Sequence, residues 1–150
     1  GMLLQKDSGT EIQELRQVFD TGVLHVTIRK AGPEGIAAIR TRLDDLRAGA
    51  AATPVSAEEL LKADVAFHET VAASAHNALI CSIAGYIDRI TIPSRIDTMR
   101  NIVESGKLGA FIELHERLLD VIESRDVTRI AETVNDHYQF WRRQIEKYAR

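Results

Sequence analysis

Residues 56–75 read SAEELLKADVAFHETVAASA. Ser56 and Glu59 form a capping-box pattern, in which the serine oxygen accepts the backbone N–H three residues on, so a helix is predicted to begin here. Within it Asp64 and His68 lie four residues apart, which brings both side chains to one face, about 5–6 Å apart at Cβ. A carboxylate and an imidazole at this spacing can share one cation. Because such a pair is common by chance, the rest of the chain has to supply further ligands.

The composition is that of an ordinary globular domain, with 150 residues, 45% hydrophobic and 27% charged side chains, and a net charge of −3. This length predicts one domain with a continuous core. The negative charge disfavours a nucleic-acid surface on the domain itself. The single cysteine, Cys81, excludes an intramolecular disulfide. We find no signal peptide and no apolar run near the roughly 18 residues of a membrane span, so we expect a cytoplasmic domain without membrane contact.

Apolar residues recur at helical spacing along the whole chain, and no convincing strand pattern is present. We predict an all-α fold, an antiparallel bundle of about six helices that encloses a metal and effector pocket. Thr10 is expected to cap the first helix, which runs to about Lys30. The Ala-rich stretch 48–52 is predicted to be a loop. Pro93 is expected to bend or end the fourth helix, because proline removes a backbone donor and clashes with the preceding turn.

The remaining boundaries follow from caps and breaks along the sequence. Gly1 and Met2 are typical of a residue pair left after tag removal, so residues 1–9 are assigned to a tag remnant and linker and residues 10–150 to the helical domain. The other expected boundaries are Pro33 for the second helix, Asn77 for the fourth, the break at Ser105-Gly106 and Asp126 for the sixth.

Two further histidines fall on predicted apolar faces. His115 follows Leu114 in the fifth helix, and His137 lies in phase with Val134 and Trp141 in the sixth. A buried polar group is costly unless a partner satisfies it, and one metal ion would satisfy several groups at once. A backbone carbonyl could instead satisfy each histidine separately, but that explanation is less economical for three of them. The predicted metal ligands are Asp64, His68, His115 and His137.

Three imidazole nitrogens and one carboxylate oxygen suit Zn, Ni, Fe or Mn, of which we expect zinc or nickel. A metal ion with open positions would recruit a small carboxylate, and arginine binds carboxylates in a bidentate fork. Arg16 and Arg89 lie near apolar stripes and are therefore candidate effector-binding residues, with Asn77 as a third. Each has a simpler alternative, since the arginines could lie on solvated helix faces and Asn77 could cap the fourth helix.

These residues together resemble the signature of the FCD domain, the effector-binding domain of the FadR branch of GntR-type bacterial transcription regulators. The resemblance extends from about Glu11 to Tyr148 and covers nearly the whole chain. The residues that carry it are Asp64-x-x-Phe67-His68, Ala72-x-Ser74-x-x-Asn77, the segment ELHERLLDVI at 113–122, Arg125-Asp126, His137, and the opening residues Glu14-Leu15-Arg16 and Phe19-Asp20.

The resemblance implies a helical bundle that binds a divalent metal through the four predicted ligands. A small organic acid, a carboxylate or sugar acid, would bind beside the metal and shift how the homodimeric regulator holds operator DNA. The resemblance also implies that Arg16 and an arginine of the fourth helix lie near this effector. GntR regulators carry an N-terminal winged helix-turn-helix domain, for which residues before Thr10 are too few. We therefore expect an excised sensor domain or a stand-alone member, with DNA bound only through such a missing domain.

Two other functions remain open from the sequence. The same four ligands could serve a small helical metalloenzyme that acts on a hydroxy or sugar acid by activating water or polarising a carbonyl. We find no additional inward Glu, Tyr or Lys placed as a general acid or base, so we expect a sensor without catalytic activity. The second alternative is a metal-free helical dimerisation module.

Overall fold

The computed structural model describes residues 8–148, and the side chains of residues 10–145 within them. In that range the chain forms six α-helices, one short 3₁₀ helix and no strand, which confirms the predicted all-α class. Most of the stretch assigned to a tag remnant and linker, residues 1–7, lies outside the described residues. The helices are α1 (Ser8–Lys30), α2 (Pro33–Ala51), α3 (Ala57–Ala73), α4 (Ala78–Glu104), α5 (Leu108–Ser124) and α6 (Ile130–Tyr148), with the 3₁₀ helix at Val127–Arg129.

Side-chain caps begin three of these helices where the sequence predicts them. The Ser56 hydroxyl accepts the Glu59 N–H at 3.2 Å at the start of α3. Asn77 accepts the N–H groups of the second and third residues of α4, at 3.0 and 3.1 Å. The Asp126 carboxylate accepts the Thr128 N–H at 3.0 Å ahead of the 3₁₀ helix and α6. Each cap satisfies backbone donors that the first turn leaves without a partner.

The core lies where α3 packs against α2 and α4, and where α5 joins α2 and α6. Its largest fully buried side chains are Phe67 of α3 and Phe111 of α5, together with Ile39 of α2. α1 packs mainly against α6, and a cavity with polar lining residues lies between α1, α3, α4 and α6. None of the helices in residues 8–148 has both the length and the apolar composition needed to span a bilayer.

Two helix boundaries differ from the predictions. Thr10 lies inside α1, which already includes Ser8, and so it is not the cap. The stretch 48–51 belongs to α2 and only Ala52 leaves the helix, so the loop prediction was wrong for most of it. Alanine has the highest helix propensity, and its small size lets two helices approach closely. A Cβ on Gly49 would lie 3.3 Å from the Leu60 side chain, which shows how near α2 runs to α3.

Pro93 does not end the fourth helix, since α4 continues through it from Ala78 to Glu104. Buried side chains lie on both sides of the proline, among them Thr91 and Met99. Asp88 before it and Arg95 after it are joined by a hydrogen bond of 3.0 Å. Tertiary packing and this bridge hold the helix together across the missing backbone hydrogen bond, which local propensity alone does not predict.

Candidate metal centre and acid pocket

Asp64 is the centre of a buried polar cluster, and its carboxylate is fully inaccessible to solvent. Oδ1 lies 2.6 Å from Nε2 of His115 and 3.3 Å from Nε2 of His68, so two imidazoles converge on one carboxylate oxygen. Oδ2 accepts a hydrogen bond of 2.8 Å from Nη2 of Arg95. The predicted i, i+4 pair in α3 is therefore joined by groups from α4 and α5.

His115 places the strongest chemical constraint on this cluster. Its Nδ1–H donates to the Phe111 carbonyl oxygen at 2.8 Å, because a carbonyl can only accept. In a neutral imidazole Nε2 then carries a lone pair, and this lone pair faces the Asp64 oxygen at 2.6 Å. Such a contact is favourable only if Nε2 is protonated or if a cation lies between the two groups. A ring whose other nitrogen donates to a carbonyl is the usual arrangement of a metal-ligating histidine.

His137 comes from α6 and completes the group. The ring nitrogens of the three histidines offer ligand atoms that lie within 4.8 Å of one another. Both nitrogens of His137 are inaccessible to solvent and have no hydrogen-bond partner among the described residues. Buried polar atoms without partners are rare in folded proteins, and a metal ion bound by the three histidines would supply a partner for one nitrogen of His137. A hydrogen bond to a backbone carbonyl accounts for one nitrogen of His115, whereas neither nitrogen of His137 has such a partner among the described residues.

The charge states of the cluster suit cation binding. Burial by itself raises the pKa of Asp64, but the charge of His68 and hydrogen bonds from His115 and His68 outweigh it and hold that pKa well below its usual range. Burial lowers the pKa of His137 well below its usual value, and the neighbouring His115 and His68 lower it further. At neutral pH Asp64 is therefore a carboxylate, and His137 is a neutral imidazole with a free lone pair.

Arg95 is a site residue that the sequence interpretation missed. It is buried, with a relative exposure of 6%, and its guanidinium bridges Asp64 and Asp88 at 2.8 and 3.0 Å. It also lies 5.9 Å from the Trp141 ring centre, within cation–π distance. Asp88 and Arg95 are seven residues apart and so share a helix face. Pro93 was expected to end or bend this helix, so the sequence did not indicate that Asp88 and Arg95 share one continuous helical face.

Arg16, a predicted effector-binding residue, lines the cavity. Its Nη1 donates to Thr91 at 3.2 Å and to Asp88 at 3.4 Å, which ties α1 to α4. The cavity beside the histidines has a volume of ≈ 90 Å³. One water needs about 10–15 Å³ on this measure, so the space is large enough for a small organic anion. The polar and charged side chains that line it are Gln13, Arg16, Gln17, Asp20, Asp64, His68, Asp88, Arg95, His137 and Tyr138.

The structure does not bring Arg89 and Asn77 to this cavity. Arg89 is exposed on α4, where its Nη1 lies near Gly85. Asn77 is exposed, and its side-chain oxygen caps α4. The simpler alternatives for both residues, a solvated helix face and a helix cap, match these positions. We therefore leave both out of the proposed effector site.

Replacement of Asn77 by alanine is expected to destabilise the domain by about 1 kcal/mol, the usual cost of losing an N-cap. Asn77→Asp should retain most of the stability, because aspartate caps a helix equally well. Urea unfolding of the three proteins measures this order. The wild type and both variants should bind the acid equally well. A loss of acid binding in Asn77→Ala with unchanged stability would show that Asn77 contributes to the effector site.

The fold and the cavity together define a class of protein, an all-helical ligand-binding domain with three clustered histidines beside a polar pocket. The FCD domain family model matches residues 11–140. The chain belongs to the FCD domain family, as the sequence resemblance predicted, and so to the effector-binding regulatory domains of GntR-type regulators.

A solved structure similar to this chain is E. coli McbR/YncC, at 14% sequence identity and a TM-score of 0.80. The match covers 97% of this chain and 68% of that chain. At this identity the likeness shows a shared fold. No curated protein sequence matches the chain significantly.

Proposed function

We propose that this domain binds one divalent metal through Asp64, His68, His115 and His137 and senses a small organic acid beside it. Binding of the acid would modulate how the full-length dimeric regulator, acting in the cytoplasm, holds its operator. The domain itself would carry out no catalysis. The observation that supports this proposal most directly is that the buried nitrogens of His137 have no hydrogen-bond partner among the described residues, while one of them lies with nitrogens of His68 and His115 at a spacing that a single cation could bridge.

The donor set limits which metal fits. Three neutral nitrogens and one carboxylate oxygen suit zinc or nickel first, and iron or manganese after them. The hydrogen bond from His115 to Phe111 and that from Arg95 to Asp64 orient two of the four ligands before any ion arrives. A bound metal would supply a Lewis-acidic position for a carboxylate oxygen of the effector.

The effector's carboxylate has a second binding group in Arg16. This guanidinium uses Nη1 for Thr91 and Asp88, while among the described side chains Nη2 makes a weak contact to Asp20 at 3.9 Å. Arginine holds carboxylates through paired N–H groups, so its other edge suits an acid in the cavity. The acid would then connect α1 with the histidines of α3, α5 and α6. An effector can shift the dimer only through unequal affinity for two arrangements, and such a bridge between helices supplies that difference.

A thermal-shift titration tests the proposal. Purified domain is prepared zinc-loaded and chelator-treated, and each form is mixed with a panel of hydroxy, sugar and dicarboxylic acids. We expect at least one acid to raise the melting temperature of the zinc-loaded form, because a ligand that binds the native state stabilises it by mass action. The chelated form should not respond.

Two outcomes would contradict the proposal. If no acid in the panel stabilises the zinc-loaded domain, acid sensing at this cavity is wrong. If an acid is consumed with sustained formation of product, the metalloenzyme alternative replaces the sensor. An operator-binding titration of the full-length regulator with the responding acid then tests the regulatory step.

A further inference from the structure

Asp20 lies at the same cavity, one turn after Arg16 on α1. The relative solvent exposure of its side chain is 38%, so Asp20 lies where the cavity meets solvent. Oδ2 lies 3.9 Å from Nη2 of Arg16, beyond hydrogen-bond distance, and no hydrogen bond to this carboxylate is found within the described side chains. Within the described side chains this carboxylate pairs with Arg16 alone, and it lines the cavity at the exposed edge.

The charges that line the cavity nearly balance. Arg16 and Arg95 contribute two positive charges, whereas Asp20, Asp64 and Asp88 contribute three negative ones. The histidine ligands are neutral when they bind a metal. With neutral histidines and a bound divalent ion, the site therefore carries a net charge of +1. One negative charge on a ligand completes the balance, and a second one leaves an excess in a region shielded from water.

The position of Asp20 adds a direct repulsion to this balance. The carboxylate that accepts from Nη2 of Arg16 at about 2.9 Å lies within about 7 Å of Oδ2 of Asp20. Both classes of ligand share this contact, so discrimination depends on the second charged group of a dicarboxylate. Asp20 is partly exposed, so water screens part of the repulsion between two like charges at this separation, and the remainder disfavours a further negative charge near it. A ligand with one carboxylate can direct its uncharged end toward Asp20. A dicarboxylate of the same size has no uncharged end to place there.

We propose that Asp20 is the specificity-determining residue of the acid site and that it restricts the effector to monocarboxylates. This inference rests on the proposed acid site beside the metal. It goes beyond that proposal because it states how many carboxylates the effector carries and names the residue on α1 that selects for this number. Asp20 acts through its charge at the cavity entrance, and it is neither a metal ligand nor the anchor of the carboxylate.

Lactate and malonate are matched probes for this proposal. Both have three carbons and two oxygen groups that can bind a metal, but lactate carries one negative charge and malonate two. Calorimetric titration of the zinc-loaded domain is expected to show tighter binding of lactate. In Asp20→Asn the preference should fall by about 10-fold, because the substitution keeps the shape of the side chain and removes the charge.

The control is Asp45→Asn, which makes the same change of net charge on the exposed face of α2, outside the cavity. This variant should keep the wild-type preference. The zinc content is measured after each titration, so that loss of metal to malonate is not mistaken for binding.

The outcomes separate this inference from the proposed function. If both acids bind the zinc-loaded domain and Asp20→Asn leaves their affinity ratio unchanged, Asp20 does not select the charge class. If malonate binds the wild type as tightly as lactate with zinc retained, the inference is equally wrong. If neither probe nor any other acid binds the zinc-loaded wild type, the acid-sensing proposal fails, and this inference with it.

Discussion

His137→Ala is expected to lower the affinity of the domain for zinc by more than about 100-fold, since loss of even an outer partner of a metal ligand costs 10–100-fold. The metal-free variant should nevertheless fold, because the His137 ring makes no hydrogen bond among the described residues. Removing its two unsatisfied nitrogens relieves a penalty of about 1–3 kcal/mol, which offsets lost packing against His68 and His115. His137→Ala can therefore show the effect of losing the metal ligand without a loss of the fold.

Zinc content by elemental analysis and melting temperature with and without chelator measure the effect. The wild type should hold one zinc per chain, and its melting temperature should fall on chelation. His137→Ala should hold little zinc, and its melting temperature should change little on chelation. A 100-fold loss of affinity removes about 2.7 kcal/mol of metal-linked stabilisation at saturating metal. His25→Ala, an exposed histidine of α1, is the matched control and should behave like the wild type. Stoichiometric zinc in His137→Ala would exclude the proposed ligand set.

Arg95→Met is expected to destabilise the metal-free domain by about 3–5 kcal/mol, the usual cost of removing one partner from a buried ion pair. Methionine keeps much of the length and apolar character of the side chain, so the loss reports the charge. The substitution leaves Asp64 without its 2.8 Å partner and weakens the compensation of Asp88, both of which are buried. An uncompensated buried carboxylate is strongly unfavourable.

Urea unfolding in the presence of chelator measures this loss, and the same experiment with zinc should give a smaller one. The difference arises because a bound cation still compensates Asp64 when Arg95 is absent. Arg100→Met on the same helix is the control, since its pairs with Glu58 and Asp97 are exposed. Exposed pairs contribute about 0–1 kcal/mol, so this variant should remain close to the wild type. Equal losses for Arg95→Met and Arg100→Met would show that the buried network contributes no special stability.

Much of the fold could be predicted because its determinants are local. The caps at Ser56, Asn77 and Asp126 depend on residues two or three positions apart, and the structure places all three as expected. The helical phase of His115 and His137 likewise depends on a short period and predicted that both rings face inward. The structure brings these rings together with His68, although binding of a metal there remains a prediction.

The helix boundaries that were predicted wrongly show where local reasoning ends. The stretch 48–51 stays helical because α2 packs closely on α3. The helix α4 continues through Pro93 because buried side chains lie on both sides of the proline and Arg95 bonds to Asp88 across it. In both cases contacts between distant parts of the chain outweigh the local preference.

The sequence by itself determined the all-helical class, the helix starts at Ser56, Asn77 and Asp126, and the inward phase of Asp64, His68, His115 and His137, because each follows from spacing within one helix. Only the tertiary structure decided that Arg95, and not Arg89, lies beside Asp64, and that Asp20 and Arg16 share one cavity with Asp88. Partners on different helices depend on how those helices pack, and packing is a property of the whole chain that no local period encodes.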